Sequence, residues 1–159
     1  MDTPIGIREA RRDDLPRVVA LLADDALGAA REVPGEPLAA AYQEAFDAMA
    51  AQVGNVLLVA TAGDEVVGCL QLILIPGLSR AGMLRAQIEG VRVASTVRGR
   101  RIGERLVEEA VARARAAGCG LVQLTSDASR ADAHRFYERL GFVATHVGMK
   151  LALDQPAPP

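Results

Sequence analysis

Two stretches of the chain hold the residues best suited to chemistry. In VRGRRIGERL, residues 97–106, a turn made of Arg98, Gly99, Arg100, Arg101, Ile102 and Gly103 leads from a strand pattern into the clearest helical pattern of the sequence. The first N–H groups of a helix lack intrahelical acceptors, and together with the helix dipole they form an anion site that flanking arginines reinforce. Between residues 85 and 115 there are eight Arg and four Glu in a chain whose formal charge is −2, so positive potential is concentrated in this region. A solvated basic helix start has the same composition, and the residues alone leave both readings open. The second stretch is LRAQIEGVRVA, residues 84–94, in which Glu89 interrupts an apolar strand next to Gly90. A glycine inside a strand marks a bulge or a close backbone approach. A carboxylate at that place must face a wet cleft or hold a partner, because burying it unpaired is costly. Glu89 therefore reads either as a functional acid or as an exposed strand residue paired with Arg85 or Arg92.

Other chemistries are excluded or weak. Lys150, the only lysine, is followed by Leu151, which removes a Walker A phosphate loop. Cys69 and Cys119 lie far apart with no CxxC and no histidine at ligand spacing, so neither a disulfide nor a metal centre is expected. Cys119, between Gly118 and Gly120, reads as a structural thiol, and His134 and His146 each stand alone as surface or packing residues. No GxSxG, HExxH or GxGxxG sequence is present.

The elements that must position these residues follow from periodicity. Residues 5–10 predict a first strand, and Asp13 and Asp14 offer an N-cap to a helix carrying Leu15, Val18, Val19 and Leu22 on one face. Residues 28–37, with their prolines and glycines, predict a loop before a second helix over about 38–52. Runs rich in Val, Leu and Ile at 55–62 and 65–75 flank Gly63-Asp64 and predict a tight hairpin, with a loop at 76–82 and a strand over 84–94 bulged at Gly90. Ile102, Leu106, Val107, Ala110, Val111 and Ala114 predict a helix to about Ala117, with Glu109 and Arg113 as an outward pair and Gly118 closing it. A strand at 120–125, a helix at 132–140 and closing strands over 142–153 complete the chain. Early hairpins followed by a strand-helix-strand crossover predict an α/β fold, a mixed sheet with an antiparallel N-terminal part and one β-α-β crossover, flanked by helices.

The 159 residues suit a single domain over 1–153, with 154–159 (DQPAPP) as a disordered tail. Hydrophobic residues at 50% against 24% charged support a sizeable core, built from aliphatic side chains because aromatics are only 3% and Trp is absent. The same shortage of aromatics, with the net negative charge, argues against nucleic acid as a partner. Asp2, Arg8, Arg11 and Arg12 leave no apolar signal core near the N-terminus, and the apolar runs are too short to span a membrane. The expectation is a soluble, reduced, cytoplasmic protein.

The segment VRVASTVRGRRIGERLVEEAV, residues 91–111, resembles the central motif of the GCN5-related N-acetyltransferases, in which a strand, an RxxGxG/A turn and a helix hold acetyl-CoA. Arg101 stands where the motif has its first glycine, and its backbone N–H can still serve if its φ is negative. AHRFYERLGF, residues 133–142, is similar to the later AxxxYxxxGF motif of the family. The resemblance implies the acyl-CoA N-acyltransferase fold, acetyl-CoA as cosubstrate and no metal. It implies that the backbone of Val91 and Val93 bonds the pantetheine arm like an added strand, and that the N–H groups from Arg98 through Gly99, Arg100, Arg101 and Ile102 to Gly103 cradle the pyrophosphate. Arg130 stands where the family often has an asparagine that touches the cofactor, and its guanidinium suits a phosphate. Tyr137 takes the place of the general acid for the departing thiolate, and Glu89 that of the base that accepts the amine proton.

Residues 24–47 carry Asp24, Asp25, Glu32, Glu36, Glu44 and Asp47 against Arg31 alone. The resemblance implies that this region borders the acceptor cleft and so favours a cationic amine on a small molecule or peptide, while the charges alone read equally as acids that solvate two helices. Members of the family are often homodimers, which puts the sheet edges and the closing strands forward as the place for a second copy. The alternative to an enzyme is a non-catalytic acyl-CoA-binding or regulatory domain, and after it an anion-binding interaction module.

Overall fold

The computed structural model describes residues 3–153; the tail expected at 154–159 lies outside them. The longest Val, Leu and Ile runs, β2 (Asn55–Ala62) and β3 (Glu65–Ile75), pair as the antiparallel hairpin their spacing predicts and form the middle of the sheet. Among the described residues the sheet runs β1-β2-β3-β4-β5, with β1 (Ile5–Glu9) antiparallel to β2, β4 (Arg85–Val93) antiparallel to β3, and β5 (Leu121–Leu124) parallel to β4. The crossover from β4 to β5 is α5 (Ile102–Ala116), so the mixed sheet with one β-α-β unit is the observed fold class.

The helices cover the sheet through its alternating faces. α5 seats Ile102 and Leu106 against Gly68, where an added Cβ would lie 3.0 Å from the Arg92 carbonyl oxygen and 3.1 Å from Leu106. On the next residue of β3, Cys69 packs with Val59 and Ala94 against Val18 and Leu21 of α1 (Leu15–Leu22). Consecutive strand residues point to opposite faces, so α5 and α1 lie on opposite sides of the sheet. Leu58, Leu70, Ile88, Ile102 and Leu106 are almost wholly buried and form its core. Burying one such side chain contributes roughly 1.5–3 kcal/mol, which is why the aromatic-poor composition suffices.

Several boundaries differ from those the sequence predicts. Asp14 does not cap α1 with its side chain. Its carboxylate takes two bonds from Arg8, at 2.7 and 2.9 Å, and one from the Arg11 N–H, and the Arg8 bonds hold its pKa below the ordinary value. A bidentate guanidinium outcompetes a local cap for the same oxygens. The 28–37 loop begins inside a short α2 (Ala26–Ala29), and α3 spans Ala40–Ala50. In the 76–82 loop, α4 (Ser79–Gly82) is a single turn with Arg80 and Ala81 in the left-handed region. Gly118 closes α5 as expected, with the Cys119 N–H donating to Ala114 and the Gly118 N–H to Arg115.

The residues fall into two compact units, Met1–Leu124 and Thr125–Pro159. The first holds the sheet and α1 to α5; the second holds α6 (Ala131–Arg139), closed at Gly141, and the segment that follows. The closing strands expected over 142–153 are not formed among the described residues. The alternation is there, with Val143, Val147, Met149, Leu151 and Leu153 all exposed, but a strand requires a hydrogen-bonded neighbour and alternation alone supplies none.

Candidate functional site

The sheet opens in the second half of β4. Between the pairs Gln71↔Glu89 and Cys69↔Arg92, β3 contributes Leu70 alone while β4 contributes Gly90 and Val91. This is a β-bulge, and Gly90 supplies the positive φ of 61° that it needs. On the other edge the parallel ladder with β5 ends at Ile88↔Leu124. Among the described residues, the β4 edge from Glu89 to Val93 that faces away from β3 has no strand partner, so the backbone of Val91 and Val93 lies on an open edge. An extended chain can add to such an edge by main-chain hydrogen bonds.

The strand leads into the turn from Arg98 to Gly103. After a 3-10 turn at Ser95–Val97, Arg98 is extended, Gly99 has φ 84°, and Arg101 at the N-cap of α5 has φ 58°. The negative φ set as the condition for an Arg101 N–H contact is not met: the turn holds Arg101 in the left-handed conformation, which glycine adopts without strain. Its side chain pairs with Glu104 in the first turn of the helix. No side chain caps α5 among the described residues, so the N–H groups of Ile102 and Gly103 point out of a helix start that carries the positive end of a 15-residue dipole.

This turn is tied down from the end of α1. The Asp24 carboxylate accepts from the Ser95 N–H at 2.7 Å and from its hydroxyl at 3.2 Å, and the Asp24 carbonyl accepts from Arg98 at 3.3 Å. The Ser95 N–H, with smaller help from its hydroxyl and Arg98, holds the Asp24 carboxyl below the usual range. Asp25 caps α2 through the Gly28 N–H at 2.6 Å and lies 3.4 Å from the Arg92 guanidinium. The acidic stretch read as a lure for a cationic amine is thus largely engaged within the protein, since Glu32 accepts from the Tyr42 hydroxyl at 2.8 Å and Asp47 pairs with Arg12. A carboxylate that neutralises an internal cation or caps a helix contributes little field to a cleft.

Glu89 is exposed, and its carboxylate accepts from the Gln87 side chain at 2.9 Å. The ion pair with Arg85 or Arg92 is not formed among the described residues, because Arg92 is turned to Asp25 and donates to the Val91 carbonyl oxygen at 3.0 Å. A solvated carboxylate beside a bulge is able to take up a proton.

In the second unit, Tyr137 sits in the last turn of α6, in edge contact with Phe136 at 5.0 Å and Phe142 at 5.8 Å between ring centroids. Its carbonyl oxygen accepts from the N–H groups of Leu140 and Phe142, which fixes the helix end and the second aromatic. Arg130, at the N-cap of α6, lines an open cavity of about 340 Å³ together with Ser129 and Asp132. His134 bonds the Asp127 carbonyl oxygen at 2.9 Å and His146 bonds Thr145 at 2.7 Å. Burial pushes the Cys69 thiol up to about 12 and also raises Cys119, the direction that disfavours the thiolate. No cluster able to hold a metal is found among the described residues.

Comparison with known proteins decides the family. Residues 12–142 match the acetyltransferase (GNAT) family. This chain belongs to that family. It is 36% identical over 94 residues to the aminoalkylphosphonate N-acetyltransferase of Salmonella typhimurium, a match covering 59% of this chain and 60% of that relative. The crystal structure of a transcriptional regulator from Bacillus halodurans superposes with a TM-score of 0.92 at 47% identity, covering 94% of this chain and 100% of that one. A Trypanosoma brucei acetyltransferase superposes with a TM-score of 0.77 at 28% identity, covering 94% of this chain and 100% of that one.

As a GNAT protein, the chain carries its two recognised motifs in separate units, the bulged strand and turn in the first and Tyr137 with Arg130 in the second. Sequence reasoning missed the Asp24 clamp. It grouped Asp24 with an acidic patch, and nothing local connects it to Ser95, 71 positions away.

Proposed function

We propose that this protein transfers an acetyl group from acetyl-CoA to a primary amine by direct attack in a ternary complex. The observation that carries the reading is the end of the β4–β5 ladder at Ile88↔Leu124, with Val91 and Val93 beyond it on an edge without a strand partner among the described residues and the start of α5 following in the chain. The open edge suits the amide-bearing pantetheine arm, and the N–H groups between Arg98 and Gly103 suit its pyrophosphate. Arg130 is proposed as a further phosphate contact from its motif position.

Glu89 takes a proton from the acceptor ammonium. The freed amine attacks the thioester carbonyl carbon while the Val91 N–H stabilises the oxyanion. The C–S bond then breaks, and Tyr137, assigned from its motif position, gives its phenolic proton to the leaving thiolate. The second proton of the attacking nitrogen passes to solvent, from which the phenolate is reprotonated, leaving the neutral amide. Acetyl-CoA is consumed as a cosubstrate and no metal takes part. The acceptor is a small-molecule or peptide amine. The named Salmonella relative supports beginning a screen with aminoalkylphosphonates, and polyamines test the cationic preference. Among the described residues no helix is long and apolar enough to cross a membrane. The reading includes a cytoplasmic location, which suits the two free cysteines, and a homodimer, tested by sedimentation.

A second reading, an acyl-CoA-binding regulator without turnover, is favoured by the Bacillus halodurans relative, which is named a transcriptional regulator. Calorimetric titration with acetyl-CoA, with pyrophosphate as control, tests both. The proposal expects saturable binding of about −8 kcal/mol that pyrophosphate does not reproduce. It further expects Glu89→Gln and Tyr137→Phe each to lower acetyl transfer about 100-fold or more with that binding retained. Binding without transfer to any amine in the screen selects the regulator, and absence of saturable binding removes both.

A further inference from the structure

The side chain that fixes Glu89 belongs to a polarised chain of amides across the last paired steps of β4 and β5. Gln123 Nε2 donates to Gln87 Oε1 at 2.7 Å, and Gln87 Nε2 donates to Glu89 Oε1 at 2.9 Å. Gln87 and Gln123 are direct partners in the parallel register, one step before the ladder ends at Ile88↔Leu124. Both amides are half-buried, whereas the carboxylate they reach is exposed.

The direction of the chain matters. An amide presents either its oxygen or its nitrogen to a neighbour, and an oxygen turned to a carboxylate repels it. Because Gln123 supplies a donor to the Gln87 oxygen, the Gln87 nitrogen is the atom left to face Glu89. The nearest competing amide is committed elsewhere. Gln71 lies opposite Glu89 on β3, but its Nε2 donates to Asn55 Oδ1 at 2.8 Å, and Asn55 in turn donates to Gln52 at 2.8 Å. Gln87 therefore holds one carboxylate oxygen of Glu89, on a residue that is itself exposed.

We infer that Gln87 and Gln123 are positioning residues, which lock the Glu89 carboxylate in the orientation that accepts the proton. This rests on the proposed role of Glu89 as base. An exposed glutamate otherwise samples many rotamers, and a base must sit within hydrogen-bond reach of the proton it removes. The chain restricts that freedom from the paired part of the sheet, where the backbone is held on both edges.

The test is steady-state kinetics on Gln87→Met, Gln123→Met and the double variant, each also made in the Glu89→Gln background, with acetyl-CoA affinity measured by calorimetry as the folding control. Methionine keeps the length and removes the donor. Gln87→Met is expected to lower kcat about tenfold, and Gln123→Met about threefold, with the KM for acetyl-CoA within about twofold of the parent. The double variant should match Gln87→Met, because the outer link acts only through the inner one. In the Glu89→Gln background Gln87→Met should change the residual kcat by less than about twofold. Should Gln87→Met fail to fold, Gln87→Asn keeps the amide one methylene short of its partner and should lose the same rate. Equal kcat for Gln87→Met and the parent overturns the inference, as does a full tenfold loss in the Glu89→Gln background. Wild-type turnover by Glu89→Gln overturns the base reading instead, and the two failures are distinct.

Discussion

The two halves of β4 differ in a way that explains where function can sit. Arg85 to Ile88 are held on both edges, by β3 and by β5, and they include the buried Ala86 and Ile88. Past the bulge at Gly90, the strand keeps β3 and loses β5, and its residues are more exposed. A strand paired on both sides has its backbone donors and acceptors satisfied within the protein and adds to stability. One that gives up a ladder leaves main-chain groups for a ligand, and must be held by something else. Here the substitutes are the Cys69 thiol, 3.6 Å from the Gly90 carbonyl oxygen, and the Asp24 clamp on Ser95.

The comparison can be broken or sharpened by substitution. The largest effect is expected in the paired half: Ile88→Ala should cost about 2–4 kcal/mol in denaturant unfolding through the cavity it leaves, while the folded protein binds acetyl-CoA as before. Loss of affinity in the folded variant would mean that the two halves are not separable. Next, Gly90→Ala forces a side chain into the left-handed region and should cost about 1–2 kcal/mol. Because the bulge sets the open edge, the same change should weaken acetyl-CoA by calorimetry about tenfold. A variant that lost stability and kept its affinity would detach the bulge from the site.

Asp24→Asn should weaken acetyl-CoA about threefold, since the amide keeps one acceptor for Ser95 and loses the charge. The pH dependence has a definite sign. The folded carboxyl titrates below its ordinary value of 3.8, so its contribution to stability is full above that value and is lost as pH falls through the lowered one. Acid unfolding followed by circular dichroism should show a component below about pH 4 that the Asn variant lacks. The smallest effect belongs to Arg101→Gly, which relieves the left-handed strain and removes the Glu104 pair. Acetyl-CoA affinity should stay within about twofold of wild type, because glycine takes the same left-handed turn and leaves the neighbouring N–H groups of the helix start where they are. A larger loss would assign the guanidinium itself to the anion.

Much of the scaffold is legible in the residues alone. The β2–β3 hairpin follows from two Val/Leu/Ile runs about a Gly-Asp turn, and the bulge follows from a glycine placed inside an apolar strand beside Glu89. The stop of α5 follows from Gly118. Each is set by neighbours a few residues apart, where backbone preference and side-chain period act directly. The true partner of Asp14 escapes such a reading because Arg8 reaches the same oxygens from another element. The internal partners of the acidic stretch, Ser95, Arg92 and Arg12, escape it for the same reason, since they lie elsewhere in the fold.

The residues by themselves determined the family motifs, the order of the main strands and helices up to α6, and the concentration of positive charge at the start of α5, because these depend on local spacing and on charge. Tertiary structure decided which acids remain open to a ligand, the left-handed turn at Arg101, the absence of a partner for the 143–153 segment among the described residues, and the amide chain from Gln123 to Glu89. Those depend on which groups meet across the sheet, where a hydrogen bond is either formed with a distant partner or left to solvent, and no local pattern encodes that choice.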